Sequence, residues 1–395
     1  MEEQLLNKIK LAIDKFINWL ECYGETSQDH QDFFASPIGG RAKSLYYKSS
    51  LVGAIAVAPM IFCEAFVPSA RRLFWRQQRL PIADAHYAMG FALLSQVLDN
   101  KKYYEKAVHF LNILCHTRSP GYQQFCWGYP FNWVTKNGTV IEGTPLITTT
   151  PYAYEAFKEV YQIDKKKKWL EIMHSIAEHA IHDIKDFETS HDASSCSYSP
   201  LPNDRGGVIN ASAYRAFLLT SASVHLSEDK YWQIAERNLN FVLQSQQPNG
   251  SWHYAADDIR DFVDHFHTCF VLKALVKIEQ LTGHDGCKKA IENGIKYYVK
   301  ELFDEKELPK PFSKAPRLTV YRQELYDYAE SINLAVLLKN RFEELDKRLI
   351  TVLNDLLTCW QKPDGSFRSR KLFLGWDNVP MHRWAQSQLF RSLCF

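Results

Sequence analysis

Residues 210–252 read NASAYRAFLLTSASVHLSEDKYWQIAERNLNFVLQSQQPNGSW. The stretch from Asn210 to Val224 carries Ala, Ser, Leu and aromatics on nearly all sides, the composition of a helix buried around most of its circumference. After the short turn HLSED, Trp232, Ala235, Leu239 and Val242 recur at i, i+3, i+7 and i+10 with charge between them, which predicts an amphipathic helix. The unit is therefore an inner helix, a tight turn and an outer helix.

The same pattern returns along the chain, with inner-type segments opening near Asp84, Thr150, Asn210, Asp264, Glu324 and Asn378, at separations of 66, 60, 54, 60 and 54 residues. The first five are followed by amphipathic segments such as KKYYEKAVHFLNIL and DKRLITVLNDLL. The sixth inner helix lacks an outer partner, and the N-terminal helix (3–22) is expected to supply it, closing the ring against residues 380–394. An extra helix is expected at about 43–68. No segment sustains a strand alternation. The predicted class is all-α, an (α/α)6 toroid or six-hairpin barrel, formed as one domain over residues 1–395.

Bulk composition narrows the function. Of 395 residues, 46% are hydrophobic and 14% aromatic, enough for a large core, and 47 basic against 45 acidic side chains give a net charge of +2. No global field is available to hold a nucleic acid, so an anionic ligand would have to be gripped locally. The nine cysteines show no CxxC pair or zinc-finger spacing and predict free thiols in a reducing, cytoplasmic setting. The N-terminus alternates charge and apolar residues and is not read as a secretory signal. The most apolar run, residues 51–67, is shorter than the roughly 20 residues a span needs and contains Pro59 and Glu64. It reads as a core helix, and no transmembrane segment is expected.

The connections from outer to inner helices are long, and they should gather on one face of the ring around a central pit. Asp84, Glu142, Asp204, His267, Tyr326 and His382 are expected to face that pit. Candidate ligand-binding groups are His86, Trp127, Tyr129, Trp133, Asn210, Trp252, Tyr254, Asp327, Trp376 and Asp377, in addition to Arg205, Arg322 and Arg383. Aromatic faces with planar polar groups suit sugar rings. Arg205, Arg322, Arg368, Arg370 and Arg383 all fall near one rim, which favours an acidic sugar or a pyrophosphate carrier.

In DHFHTCF (264–270), Asp264 suits the N-cap of the fourth inner helix. His265 and His267 diverge by about 200° on a helix and cannot both hold one metal from there. No metal and no cofactor is predicted. His267, His265, Tyr326 and Asp264 are the catalytic candidates, because an imidazole titrates near working pH.

Gln246-x3-Gly250-x-Trp252 and Gln361-x3-Gly365-x-Phe367 resemble the structural repeat of triterpene cyclases and related toroids. Asp257, Asp258 and Asp261 spell DDxxD, the magnesium-diphosphate signature of prenyl-chain enzymes, but without its partner motif and in a loop. Cys115-His116-Thr117 departs from the Cys-His-Gly zinc set of lanthionine cyclases.

The segments PIADAH, GYPFNW, GTPLITTTPY, SYSP, NASAY, DGSF and DHFHTCFVLKAL resemble a bacterial family of toroid proteins encoded among capsule, O-antigen and exopolysaccharide biosynthesis genes. That resemblance implies a six-hairpin fold and a role in surface-glycan assembly. Phe266-His267-Thr268 is similar to a helix-opening pattern in the toroid of glucuronyl C5-epimerases. The expected function is acid/base chemistry on an acidic sugar by a uronyl epimerase or lyase. The partners expected are a glycan or lipid-linked oligosaccharide, with peripheral contact to polysaccharide-assembly machinery. A glycoside hydrolase using two of Asp264, Glu142, Asp204, Asp327 and Asp377, a non-catalytic glycan-binding scaffold and a terpenoid cyclase are the alternatives.

Overall fold

The computed structural model describes all residues except Met1, Asp258, Arg317 and Leu318, and only the backbone of Glu2 and Ser50. Asp258 of the DDxxD motif thus lies outside the described residues. Helix α1 (Glu2–Tyr23) precedes a hairpin of α2 (Pro37–Lys48) and α3 (Ser50–Phe66). Two inner–outer pairs follow, α4 (Pro81–Val97) with α5 (Lys101–His116), and α6 (Thr150–Asp164) with α7 (Lys167–His182). Next come α8 (Ile209–Leu226) with α9 (Asp229–Gln244), and α10 (His265–Thr282) with α11 (Asp285–Glu301). The last pair is α12 (Leu325–Leu337) with α13 (Glu343–Asp355), and α14 (Ser387–Cys394) stands alone.

Each of α4, α6, α8, α10, α12 and α14 packs on the next, and α14 returns to α4. The inner ring is closed. Local chemistry sets the helix ends: Pro81 opens α4 where an amide proton would be unpaired anyway, and Gly283, at φ +70°, ends α10 in the left-handed cap.

The two glutamine motifs clamp neighbouring outer helices. Gln246 Nε2 donates to the carbonyls of Ala290 in α11 (2.9 Å) and Gly250 (3.0 Å), and Gln361 Nε2 donates to those of Ala12 in α1 (2.9 Å) and Gly365 (3.2 Å). Gly250 and Gly365 have φ of +91° and +95°, and a Cβ would overlap the carbonyl oxygen of Asn293 or Lys15. Phe16 of α1 stacks on Phe390 of α14 at 5.4 Å between centroids.

Three features differ from the sequence expectation. The long connections carry short antiparallel ribbons: β1 (Trp133–Thr135) with β2 (Gly138–Val140), β3 (Asp186–Ser190) with β4 (Ala193–Cys196), and β5 (Val263–Asp264) with β6 (Phe312–Lys314). A three-stranded sheet, β7 (Tyr321–Glu324), β8 (Arg370–Leu372) and β9 (Trp376–Asp377), lies before α12 and α14. Strands of two to five residues are too short to show an alternation.

The sixth inner helix also starts later than Asn378. Residues His382–Gln386 form a wide turn in which Trp384 and Ala385 leave helical φ/ψ, while the Gln386 amide exchanges two bonds with the Phe367 backbone (3.0 and 2.7 Å). Finally, residues 51–67 do not belong to the main core. Ser49 breaks the expected single helix into a hairpin, and much of α3 faces solvent. The hairpin has only a small core of its own, Phe33, Ala42 and Met60. No single helix among the described residues is long and apolar enough to cross a membrane.

Candidate active site

A cavity of about 180 Å³ opens at the N-terminal ends of the inner helices. Ile82 of α4, Tyr152 of α6, Asn210 and Tyr214 of α8, Phe266, His267 and Phe270 of α10 and Tyr326 of α12 line it, with Arg383 and Trp384 from the turn before α14. Loops add Tyr129, Trp133, Thr148, Tyr198 and Tyr254, and the segment after α1 adds His30 and Gln31. A larger groove of about 510 Å³ lies outside, lined by α1, α5 and their neighbours around Glu25, Arg79 and His109. The central cavity is the better candidate because every inner unit contributes to it, with the positive ends of five long helix dipoles around it.

Asp264 organises its key group. Oδ1 accepts the backbone N–H of His267 (2.9 Å) and Oδ2 accepts Nδ1–H of the same imidazole (2.6 Å). The carboxylate is therefore N-cap and ring orienter at once: it takes up Nδ1 and leaves Nε2 as the ring nitrogen available to the cavity. The His267 side chain remains 22% exposed, toward the cavity.

The opposing wall is built on Asp29. Arg383 grips it through Nε (2.9 Å) and Nη2 (2.6 Å), and its Nη2 also reaches His30 Nδ1 (3.0 Å). Although burial opposes it, this pairing with Arg383 and His30 holds Asp29 well below the usual carboxylate range. Burial pushes His30 down to about 4. Trp384 stacks on His30 (4.1 Å) and on Tyr326 (4.3 Å). Burial raises the Tyr326 phenol well above its ordinary value, which keeps it protonated. Asn210 Oδ1 and Trp384 Nε1, both buried, have no protein partner.

Of the sequence candidates, Tyr129, Trp133, Asn210, Tyr254, His267, Tyr326 and Arg383 line the cavity, and Asp264 stands behind His267. The others do not. His265 is fully buried between the carbonyls of Leu302 (3.1 Å) and Lys310 (3.2 Å) and the Tyr298 hydroxyl (2.7 Å), and burial takes it down to about 3. His382 is bound to Tyr87 Oη (2.6 Å) and Gly24 O (3.0 Å), and burial lowers it to about 4. His86 is buried beside Tyr152. Trp127 and Trp252 are wall residues whose Nε1 donate to Leu114 O and Val242 O (2.9 Å each).

Asp84 is tied to Arg79, although burial raises it to about 7. Asp204 closes its own turn on the backbone N–H groups of Tyr198, Ser199 and Gly206. Asp377 pairs with Arg71 (2.7 Å), and Trp376 packs on Trp360. Glu142 is exposed. Asp327 is fully buried, and burial followed by the Glu324 and Asp264 carboxylates pushes it well above the usual range.

The expected arginine rim reduces to one member. Arg370 is held by Glu324 and Glu64, Arg368 by Asn378 (2.8 Å), Arg322 lies over Phe373, and Arg205 is exposed. Of these five, only Arg383 lines the cavity. His30 and Gln31 were not among the sequence candidates, because they precede the first repeat and lie outside the repeat loops. Their signal was the polar run GETSQDHQD (24–32) between the first helix and the apolar residues 33–35.

His174, Glu178 and Glu228 could offer three ligand atoms on the outer surface, but Lys230 Nζ already bridges Glu178 (2.8 Å) and Glu228 (2.9 Å).

Comparison of the whole chain supplies its architectural relatives. A cellobiose 2-epimerase from Bacillus thermoamylovorans B4167 superposes with a TM-score of 0.63 at 10% identity, covering 80% of this chain and 87% of that one. The unsaturated glucuronyl hydrolase of Bacillus sp. GL1 gives 0.62 at 11% identity over 100% of this chain and 96% of that one. A D-mannose isomerase gives 0.57 at 15% identity over 80% and 87%. The fold is an (α/α)6 toroid. At the level of sequence, no family model matches the chain and no curated protein matches it.

Proposed function

We propose that the protein is a sugar-acting enzyme of the epimerase or lyase type, with His267 as base and Tyr326 as the proton donor. The observation that carries this reading is the Asp264–His267 pair aimed into a cavity walled by aromatic rings. His267 Nε2 would accept a ring-carbon proton, and Asp264 would stabilise the imidazolium that forms. Tyr326 would return or supply a proton, since its phenol stays protonated. A volume of about 180 Å³, below the roughly 300–1,000 Å³ of pockets for drug-sized ligands, favours a small ligand such as a single sugar unit. Cellobiose 2-epimerase and D-mannose isomerase share the fold, which supports the class of chemistry by analogy.

The uronate version of the proposal rests on Arg383, whose Nη1 has only a long contact with Tyr129 Oη (3.4 Å) and could meet a sugar carboxylate. The two-carboxylate hydrolase has less support, because none of the described lining residues is Asp or Glu. A place in surface-glycan assembly is carried only by the short segments that resemble that family, with no family model matching the chain. A cytoplasmic setting fits nine cysteines that form no disulfide.

The test is deuterium exchange. Neutral and uronate-containing sugars are incubated with the protein in D2O and ring-carbon labelling is followed by NMR. Wild type should exchange one C–H, and His267→Asn should abolish exchange while sugar binding persists by calorimetry. Binding without exchange in wild type would identify a glycan-binding protein instead.

A further inference from the structure

Helix α3 leaves an apolar face uncovered, since Leu51, Ile55, Phe62 and Phe66 fall at i, i+4, i+11 and i+15 and are all exposed. Leu51 is 76% exposed, Ile38 and Ile55 are 71% exposed, and Phe62, Phe66 and Leu73 are also in solvent. A soluble surface rarely presents so many large apolar side chains on one projection. The hairpin is nevertheless well built: α2 and α3 cross so closely that a Cβ on Gly53 would overlap the Tyr46 backbone. The end of the hairpin and the segment that follows it are tied to the barrel by ion pairs, Glu64 to Arg370 (2.6 Å) and the buried Arg71 to Asp377 (2.7 Å).

Charge decides what covers this face. Between residues 33 and 78 the sequence has six basic residues and a single acid, Glu64, which is turned inward onto Arg370. Arg41, Lys48, Arg72 and Arg76 are exposed around the apolar side chains. A second copy would bring this cationic rim against itself. A bilayer with anionic headgroups matches both the apolar centre and the positive edge.

We propose that the α2–α3 hairpin seats the protein on an anionic membrane surface, with α3 lying in the interface. Helix α3 has 17 residues, a length of about 25 Å against the roughly 30 Å of a hydrocarbon core, and the chain bends by 118° before Leu73. It lies on the bilayer and does not span it. Because Arg71 and Glu64 contact residues beside the cavity turn, docking would hold the mouth close to the lipid. This inference rests on the surface alone and is independent of the chemistry in the cavity.

Vesicle flotation of the full chain tests it. The protein should float with phosphatidylcholine vesicles containing phosphatidylglycerol, more weakly at high salt, and poorly with phosphatidylcholine alone. Ile55→Glu/Phe62→Glu should lower the bound-to-free ratio about tenfold or more, with an unchanged circular-dichroism spectrum and melting midpoint. Arg72→Gln/Arg76→Gln should keep the fold and reduce the salt dependence. Failure of wild type to float with either vesicle would overturn the proposal. So would a concentration-dependent dimer in sedimentation that the glutamate variants convert to monomer.

Discussion

Asp264 spends both carboxylate oxygens on one residue, and this makes the pair testable. Asp264→Asn keeps a cap for the His267 N–H but cannot hold the same tautomer. We expect kcat to fall by about 10²-fold or more, with stability lowered by only about 1 kcal/mol, read from steady-state kinetics and urea midpoints. The neighbouring His265 gives a pH prediction. Its folded value of about 3 lies below the ordinary imidazole value of about 6.5, so the unfolded state binds the extra proton between those limits. Its contribution is present above about pH 6.5 and is lost as pH falls toward 3, with a slope of up to about 1.4 kcal/mol per pH unit. Replacing it by Asn should flatten the acid limb of a melting-midpoint profile, and an unchanged slope would refute the assignment. The two histidines also show what a sequence conceals. Spacing says that they diverge, but only packing says that His267 faces the cavity and His265 the carbonyls of the next loop. The same limit hid the wall roles of Trp127 and Trp252, because an indole that donates inward looks identical in sequence to one that faces a ligand.

At the scale of elements, the helix repeat was legible because each unit repeats a buried segment and an amphipathic one at similar spacing. The ribbons and the late start of α14 were not, since a strand of a few residues has no period to read and the turn at 382–386 depends on Gln386 meeting Phe367 across the chain. The hairpin was misread for a physical reason: an apolar run predicts burial only if something is available to bury it. The glutamine motifs predict a graded glycine series. Gly250→Ala and Gly365→Ala meet both a positive φ and a carbonyl oxygen, whereas Gly121 has φ +81° in open space. The first two should lose about 2–3 kcal/mol or more and Gly121→Ala about 1 kcal/mol, measured by urea denaturation.

For the whole molecule, we propose that α1 acts as the twelfth helix of the ring and that the chain folds as one cooperative domain. Phe16 is buried against Phe390, Phe367 and Tyr87, and Trp19 and Leu20 lie beside it in the same core. Phe16→Ala should cost about 3–5 kcal/mol, and calorimetry should show a single transition shifted downward. A separate low-temperature transition would mean that α1 is an appendage. The ring's polar axis was also outside the reach of sequence pattern. Lys273 pairs with Glu330 and Lys277 with Glu155 inside helices that read as apolar, and burial lowers Lys277 to about 7.

The double duty of Asp264 links two properties usually tuned apart. When the first turn of α10 frays on warming, the imidazole loses its bearing at the same instant, so turnover should cease while the rest of the barrel still melts cooperatively at a higher temperature. The protein would then carry its own thermal cut-out in one carboxylate.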